Sequence, residues 1–240
     1  MSHKKRRLGK SIIFDTGPVI SLVTNNLLWI LEPLKQKFGG KFYITPAVKR
    51  ELIDKAFKIK RFEFEALQIS RLINKGILEI VGNAQIEALS KKLLDLANHS
   101  FKAKGNWVNI VSDAEIEALA ADAVLNSDAA VIDERTVRLL LENTPNMTNL
   151  MEKRFHCKVQ PNIDNIREFK KQLRNVQILR STELALIAYK MGLLNDYIAE
   201  KSTKVRDPKK LLLDAVLWAV KVRGCSISGQ EINQIVRSEA

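Results

Sequence analysis

SIIFDTGPVISL, residues 11–22, decides the reading of this chain. Ile12, Ile13 and Phe14 form an unbroken apolar run, and Thr16-Gly17-Pro18 punctuates its end, which predicts a short strand buried on both faces and closed by Asp15. Buried strands of this kind belong to parallel sheets covered on two sides, not to half-exposed hairpins. An apolar helix is expected to follow, through Leu34.

Working outward, the same alternation returns. Phe42 to Thr45 reads as a strand, and Thr45-Pro46 as a helix start with proline in the first turn, placing Glu51 one to two turns inside. A helix over 61–75 ends at Gly76, Ile77 to Val81 reads as a strand, and a helix near 86–96 precedes a loop centred on Lys104-Gly105-Asn106. Ser112 and Glu115 have capping-box spacing before a helix to Leu125, with Ile116, Leu119, Ala120, Ala123 and Val124 along one face. Ala129 to Asp133 is a further buried strand, followed by a helix from about Thr136 to Leu141.

The expected fold class is therefore α/β, with a parallel sheet covered by helices on both faces. The pattern changes after Pro145, where 147–155 and 164–173 read as two helices with no apolar strand between them. This makes 145–175 a helical insertion into a core of 11–144. Residues 176–240 supply a closing strand over 176–179 and C-terminal helices of the same domain. Residues 1–10 form a basic N-terminal arm in which Lys4, Lys5, Arg6, Arg7 and Lys10 crowd together without an acid.

Composition narrows the partners. The 240 residues carry 39 Lys plus Arg against 27 Asp plus Glu, a net charge of +12 with pI near 9.7, which favours a polyanion such as nucleic acid. No apolar run approaches the roughly 20 residues of a spanning helix, so no membrane partner is expected, and the location is read as cytoplasmic. With only Cys157 and Cys225, the chain has neither a disulfide framework nor a cysteine zinc site.

The chemistry is expected where strands end. In an open parallel sheet the carboxyl ends share one rim, and ligands bind in the crevices there. Asp15 and Asp133 each end a buried strand, Asp113 starts a helix that can point to the same rim, and Glu51 lies too deep in its helix to be a cap. Taken singly, each of the Asp residues has an ordinary turn or capping role, and an exposed helical Glu is commonplace. Taken together they form a set of like charges that is tolerated chiefly when a hard cation, Mg²⁺ or Mn²⁺, neutralises it through oxygen ligands. Such an ion activates water for attack on a phosphodiester.

Four stretches, SIIFDTGPVISL, ITPAVKRELID, SDAEIEALAAD and AAVIDERTVRLLLEN, resemble in order the motifs of PIN-domain nucleases. The similarity covers 11–143 and continues less closely over 176–240, where ILRSTELALIAYKMGLL is similar to the family's closing strand and helix. It implies a PIN-like fold and metal-dependent hydrolysis of RNA, with Asp15, Glu51, Asp113 and Asp133 as catalytic metal ligands. Glu134, from the Asp133-Glu134-Arg135 string, is a further ligand candidate, and Arg135 faces RNA. The resemblance also implies an antitoxin or other protein partner and a homodimer. Segment 145–175 departs from the family's compact pattern, and Arg167, Lys170, Lys171 and Arg174 share one face of its second helix, expected to hold RNA.

Other chemistries fit less well. A haloacid-dehalogenase-type phosphatase expects a second Asp where Gly17 stands, and Gly9-Lys10-Ser11 lacks the earlier glycine of a phosphate-binding loop. His3, His99 and His156 flank no nucleophile elbow. The alternative of another class is a PIN-like scaffold that binds RNA or protein without catalysis.

Overall fold

The computed structural model describes residues 9–198 and 207–239, so Lys4 to Arg7 of the basic arm and His3 lie outside the described residues. Its centre is a five-stranded parallel sheet built from β1 (Ser11–Phe14), β2 (Lys41–Ile44), β3 (Glu79–Ile80), β6 (Ala129–Val131) and β8 (Ile178–Leu179), in the order β3-β2-β1-β6-β8. Strand alternation sends successive side chains to opposite faces. Ile12 and Phe14, with Phe42, Ile44 and Val131, join one core layer, while Ile13, Ala130 and Ile132 join the other. That division requires helices on both sides, as the apolar run of β1 predicts.

One layer is closed by α1 (Thr16–Thr24), α2 (Leu31–Phe38), α3 (Pro46–Lys49), α4 (Glu63–Asn74), α10 (Ser181–Lys190), α11 (Pro208–Val222) and α12 (Gly229–Glu239). The other is closed by α5 (Ala84–Asn98), α6 (Asp113–Leu125), α7 (Arg135–Glu142), α8 (Thr144–Phe155) and α9 (Ile163–Gln172). The capping box of Ser112 and Glu115 forms as expected. Helix α6 is apolar almost all round: Ala114, Ala118 and Ala121 are buried along with Ile116, Leu119 and Ala120, so this helix runs through the interior and not over the surface.

The insertion differs from expectation. Between α8 and α9 the chain forms β7 (Val159–Pro161), which pairs antiparallel with β4 (Phe101–Ala103), itself paired with β5 (Asn106–Trp107). The stretch centred on Lys104-Gly105-Asn106 is thus a hairpin, with Lys104 and Gly105 both at positive φ, 49° and 82°, the backbone of a two-residue turn that suits twisted strands. Met147, Met151, Val159, Ile166 and Phe169 share a core layer with Leu119 and Leu140. Residues 145–175 are therefore a helix–strand–helix unit sewn into the main core, not two helices laid over it.

Among the described residues no helix is long and apolar enough to cross a membrane.

Candidate active site at the sheet switch point

The chain leaves β1 toward β2 and β3 on one side, then returns to place β6 on the other, so the strand order reverses between β1 and β6. A crevice at the carboxyl ends of two such strands is where open α/β sheets bind ligands. Asp15 and Asp133 stand there, and the backbone is continuous across the gap, since Asp15 N–H donates to Val131 O at 3.0 Å. A Cβ added at Gly17 would meet Asp133 Cβ at 3.5 Å and Asp15 Oδ2 at 3.7 Å. Both are ordinary contact distances, so the turn at Gly17 passes directly beside the two acids.

Asp15 is the N-cap of α1 and only 3% exposed. Its Oδ2 accepts a long 3.4 Å bond from Gly17 N–H, and its buried Oδ1 has no partner among the described residues. Burial first, then the charge of Glu115 and more weakly that of Glu51, push its carboxyl up to about 7. A buried carboxylate oxygen left without a donor is costly, and at a sheet rim among other acids a bound cation would satisfy it.

Glu51 arrives from the helix begun by α3, which Thr45 caps through Val48 N–H. At Arg50–Lys55 that helix widens into a π-turn, a local device that re-aims side chains and recurs at functional sites. Glu51 Oε2 accepts from Thr16 Oγ1 at 2.9 Å, while Oε1 lies 3.5 Å from Lys55 Nζ. The acid of this π-turn and the turn after β1 are thereby tied together.

Two acids stand in the first turn of α6, the expected Asp113 and Glu115. Asp113 is exposed at the first position of α6, whereas Glu115, two residues on, is half-buried and carries the charge that raises Asp15. The capping box folds it back, because Ser112 N–H donates to Glu115 Oε2 at 2.9 Å and Glu115 N–H to Ser112 Oγ at 3.2 Å. Burial, then the charges of Glu134 and Glu51, push Glu115 up to about 7 against the lowering effect of the Ser112 hydrogen bonds. Glu117, one turn along α6, binds Ala47 N–H at 2.6 Å and fixes α6 against α3.

Asp133 is buried, but its carboxylate turns to the protein. Oδ1 accepts from Ser181 N–H at 2.8 Å, and Oδ2 from Ser181 Oγ at 2.7 Å and Ser21 Oγ at 3.0 Å. It anchors α1 and α10 to the end of β6 through these three hydrogen bonds. Glu134 is exposed at the N-cap of α7, where it holds Thr136 through N–H and Oγ1.

The chemistry of the donor set suits a hard cation: Asp15, Glu51, Glu115 and, at the rim, Glu134 share one electrostatic field and offer only oxygen. Among the described residues, no three acidic, histidine or cysteine side chains converge into a complete ligand group. Mg²⁺ does not require one, since it keeps several waters and is held by one or two carboxylates with substrate phosphates. On the other side of Glu51 an apolar cleft of about 350 Å³, lined in part by Thr16, Ile20, Ile59 and Phe62, opens beside the acids.

Helix α9 is amphipathic as expected, with Ile166 and Phe169 buried, Arg167 and Lys171 exposed and Lys170 half-buried, while Arg174 is exposed just beyond its end. It is partly neutralised, because Arg167 pairs with Asp164 at 3.0 Å and Lys171 lies 3.8 Å from Glu168. Lys171 and Arg174 line a cleft with Asp122, seven residues or about 10 Å along α6 from Glu115, toward the opposite end of the sheet.

The chain matches no protein-family model, and no curated protein or solved structure is significantly similar to it.

Proposed function

We propose that the chain is a PIN-type, metal-dependent endoribonuclease that hydrolyses RNA phosphodiester bonds at the rim between β1 and β6. The observation that carries this reading is the buried, unpartnered Asp15 Oδ1, set in a field of carboxylates at the switch point of a parallel sheet. Asp15, Glu51 and Glu115 are the residues that would hold Mg²⁺ or Mn²⁺, with Glu134 beside them. The bound ion supplies a water of lowered pKa and draws charge from a phosphodiester oxygen.

The residues of the chain do the rest. Asp15 and Glu115, both raised to about 7, hold protons on part of the molecules at neutral pH and give them up when a cation takes their place. Thr16 fixes the orientation of Glu51, and the Ser112 box fixes Glu115. Net positive charge draws the RNA in.

The test is cleavage of a fluorescently labelled single-stranded RNA in Mn²⁺ or Mg²⁺. Activity should vanish with excess chelator and in Asp15→Asn, while circular dichroism of the variant stays native. Undiminished cleavage in either condition overturns the assignment. One observation favours the non-catalytic scaffold: no three acids are gathered into a complete ligand group among the described residues. Calorimetric titration with Mn²⁺ separates the two, since a scaffold without a cation site gives no binding heat.

A further inference from the structure

Beside the acids lies a larger cleft of about 1020 Å³, reached by stepping from Glu134 to its neighbour Arg135. Ser226, which lines it, donates its N–H to Asp133 O at 3.1 Å, which ties one wall to the end of β6. Four cations line it: Arg135 and Arg138 on α7, Arg180 before α10, and Lys221 on α11.

Their charges are not equally available. Arg180 is cancelled by Glu183 at 2.6 Å and Glu231 at 3.0 Å. Arg138 donates to Ser226 O at 3.2 Å, and Lys221 donates to Ile227 O. A carbonyl accepts an N–H without cancelling the charge behind it, so both side chains are held in place and remain cationic. Arg135 is exposed, with no ion-pair partner among the described residues. With Glu142, Glu183 and Glu231 also in the lining, the cleft carries a net charge of +1, and Arg135, Arg138 and Lys221 are its cations without a carboxylate partner among the described residues, two of them pre-positioned.

Its length fits a strand. The eight residues of α7 rise about 12 Å, against about 3.4 Å per phosphate along a stacked strand. At the far end Asn146 lines the cleft and offers a side-chain amide at the start of α8, of the kind that pairs with base edges. We propose that this cleft is the track for the single-stranded RNA flanking the bond to be cut, with Arg135, Arg138 and Lys221 on successive phosphates and Asn146 on a base. This assignment rests on the nuclease reading, and it makes the α7 cleft, not the outer face of α9, the principal electrostatic contact.

The experiment uses the full chain carrying Asp15→Asn, in chelator, so that binding is read without cleavage. The probe is a fluorescent single-stranded RNA of mixed sequence, followed by anisotropy over a salt series. Adding Arg135→Ala and Arg138→Ala should weaken binding about tenfold at physiological salt. The slope of log affinity against log salt should shrink by about 1.4, at about 0.7 for each phosphate of a single strand that is no longer neutralised. Arg135→Glu alone, at a residue that makes no structural bond, should weaken binding while melting like its parent. Lys170→Ala with Lys171→Ala should leave the slope at the parental value. If the parent binds RNA but the α7 variants keep its slope, or if the α9 pair takes the slope instead, the track is overturned and the nuclease reading stands. If the parent does not bind RNA at all, the nuclease reading falls with it.

Discussion

Thr16 Oγ1 donates to Glu51 Oε2 at 2.9 Å, joining the turn after β1 to an acid 35 positions away in the sequence. Glu51 would otherwise be free to follow Lys55, an exposed i,i+4 partner of little energetic weight. Thr16→Val keeps the side chain's shape and removes only the donor. Such supporting bonds are typically worth 10–100-fold in metal affinity or activity. Thr16→Val should therefore raise the Mn²⁺ concentration needed for half-maximal cleavage by about that range, with RNA affinity in chelator unchanged. An unaltered Mn²⁺ dependence would remove Glu51 from the site.

Asp113 and Glu115 sit two residues apart, and their surroundings differ. Asp113 is exposed, while Glu115 is half-buried and close enough to Asp15 for its charge to be felt. Glu115→Gln should abolish metal-dependent cleavage, by several kcal/mol of lost transition-state stabilisation. Asp113→Asn should leave kcat/KM within about twofold, costing no more than a favourable charge near a helix N-terminus, about 0.3–1 kcal/mol of stability. The reverse ranking, read from single-turnover cleavage of the same RNA, would restore Asp113 as the site acid.

The parts of this architecture that come from side-chain pattern were legible in the sequence, and the parts that come from backbone pairing were not. Ile12 to Phe14 announces a strand buried on both faces because three consecutive apolar residues have no other economical use, and β1 lies at the sheet's centre. Ser112 and Glu115 announce the start of α6. The second sheet is silent by comparison: Val159-Gln160-Pro161 has one buried apolar residue, and it is a strand because Phe101 to Ala103 pairs with it. The site shows the same limit. Asp15 is legible as the acid that ends a strand. Glu115 is hidden behind its capping function, and the signal that could have found it is that a capping box returns its third residue to the helix start, here the sheet rim. Asp133 is legible by the same rule that finds Asp15, whereas its hydrogen bonds to Ser21 and Ser181, 112 and 48 positions away, are not.

Asp133 holds three hydrogen bonds with a buried carboxylate, and a bond to a charged group contributes about 1.5–3 kcal/mol. Asp133→Ala should lower unfolding free energy by at least about 3 kcal/mol, read as a fall in the urea midpoint. The loss should be the same in chelator and in millimolar Mg²⁺, because the residue acts on α1 and α10 and not on an ion. A loss that Mg²⁺ enlarges would identify Asp133 as a ligand after all.

Proton linkage separates the site from a second buried acid, Asp122. This residue is 2% exposed, its Oδ1 has no partner among the described residues, and burial, then the charge of Asp128, push its carboxyl up to about 7. Asp15 and Glu115 are raised to about the same value. A carboxyl whose folded pKa lies above the unfolded one, 3.8 for Asp and 4.5 for Glu, keeps its proton in the native state over a range where the unfolded chain has lost it. Its contribution to stability is complete below about pH 4, declines as pH rises toward about 7, and is gone above that. Metal-free protein should therefore lose stability between about pH 4 and 7, the opposite of a fold held by salt-bridged carboxylates over that range. Asp122→Asn should flatten part of this decline in urea titrations, equally with and without Mg²⁺, since Asp122 stands apart from the acid rim. Saturating Mg²⁺ should flatten the other part, because a cation that binds the deprotonated forms of Asp15 and Glu115 adds stability where their protons would have left. In Asp15→Asn the Mg²⁺-sensitive part should shrink and the Asp122 part remain. If Mg²⁺ leaves the wild-type pH profile unchanged across this window, Asp15 and Glu115 do not hold a cation, whatever Asp122 does.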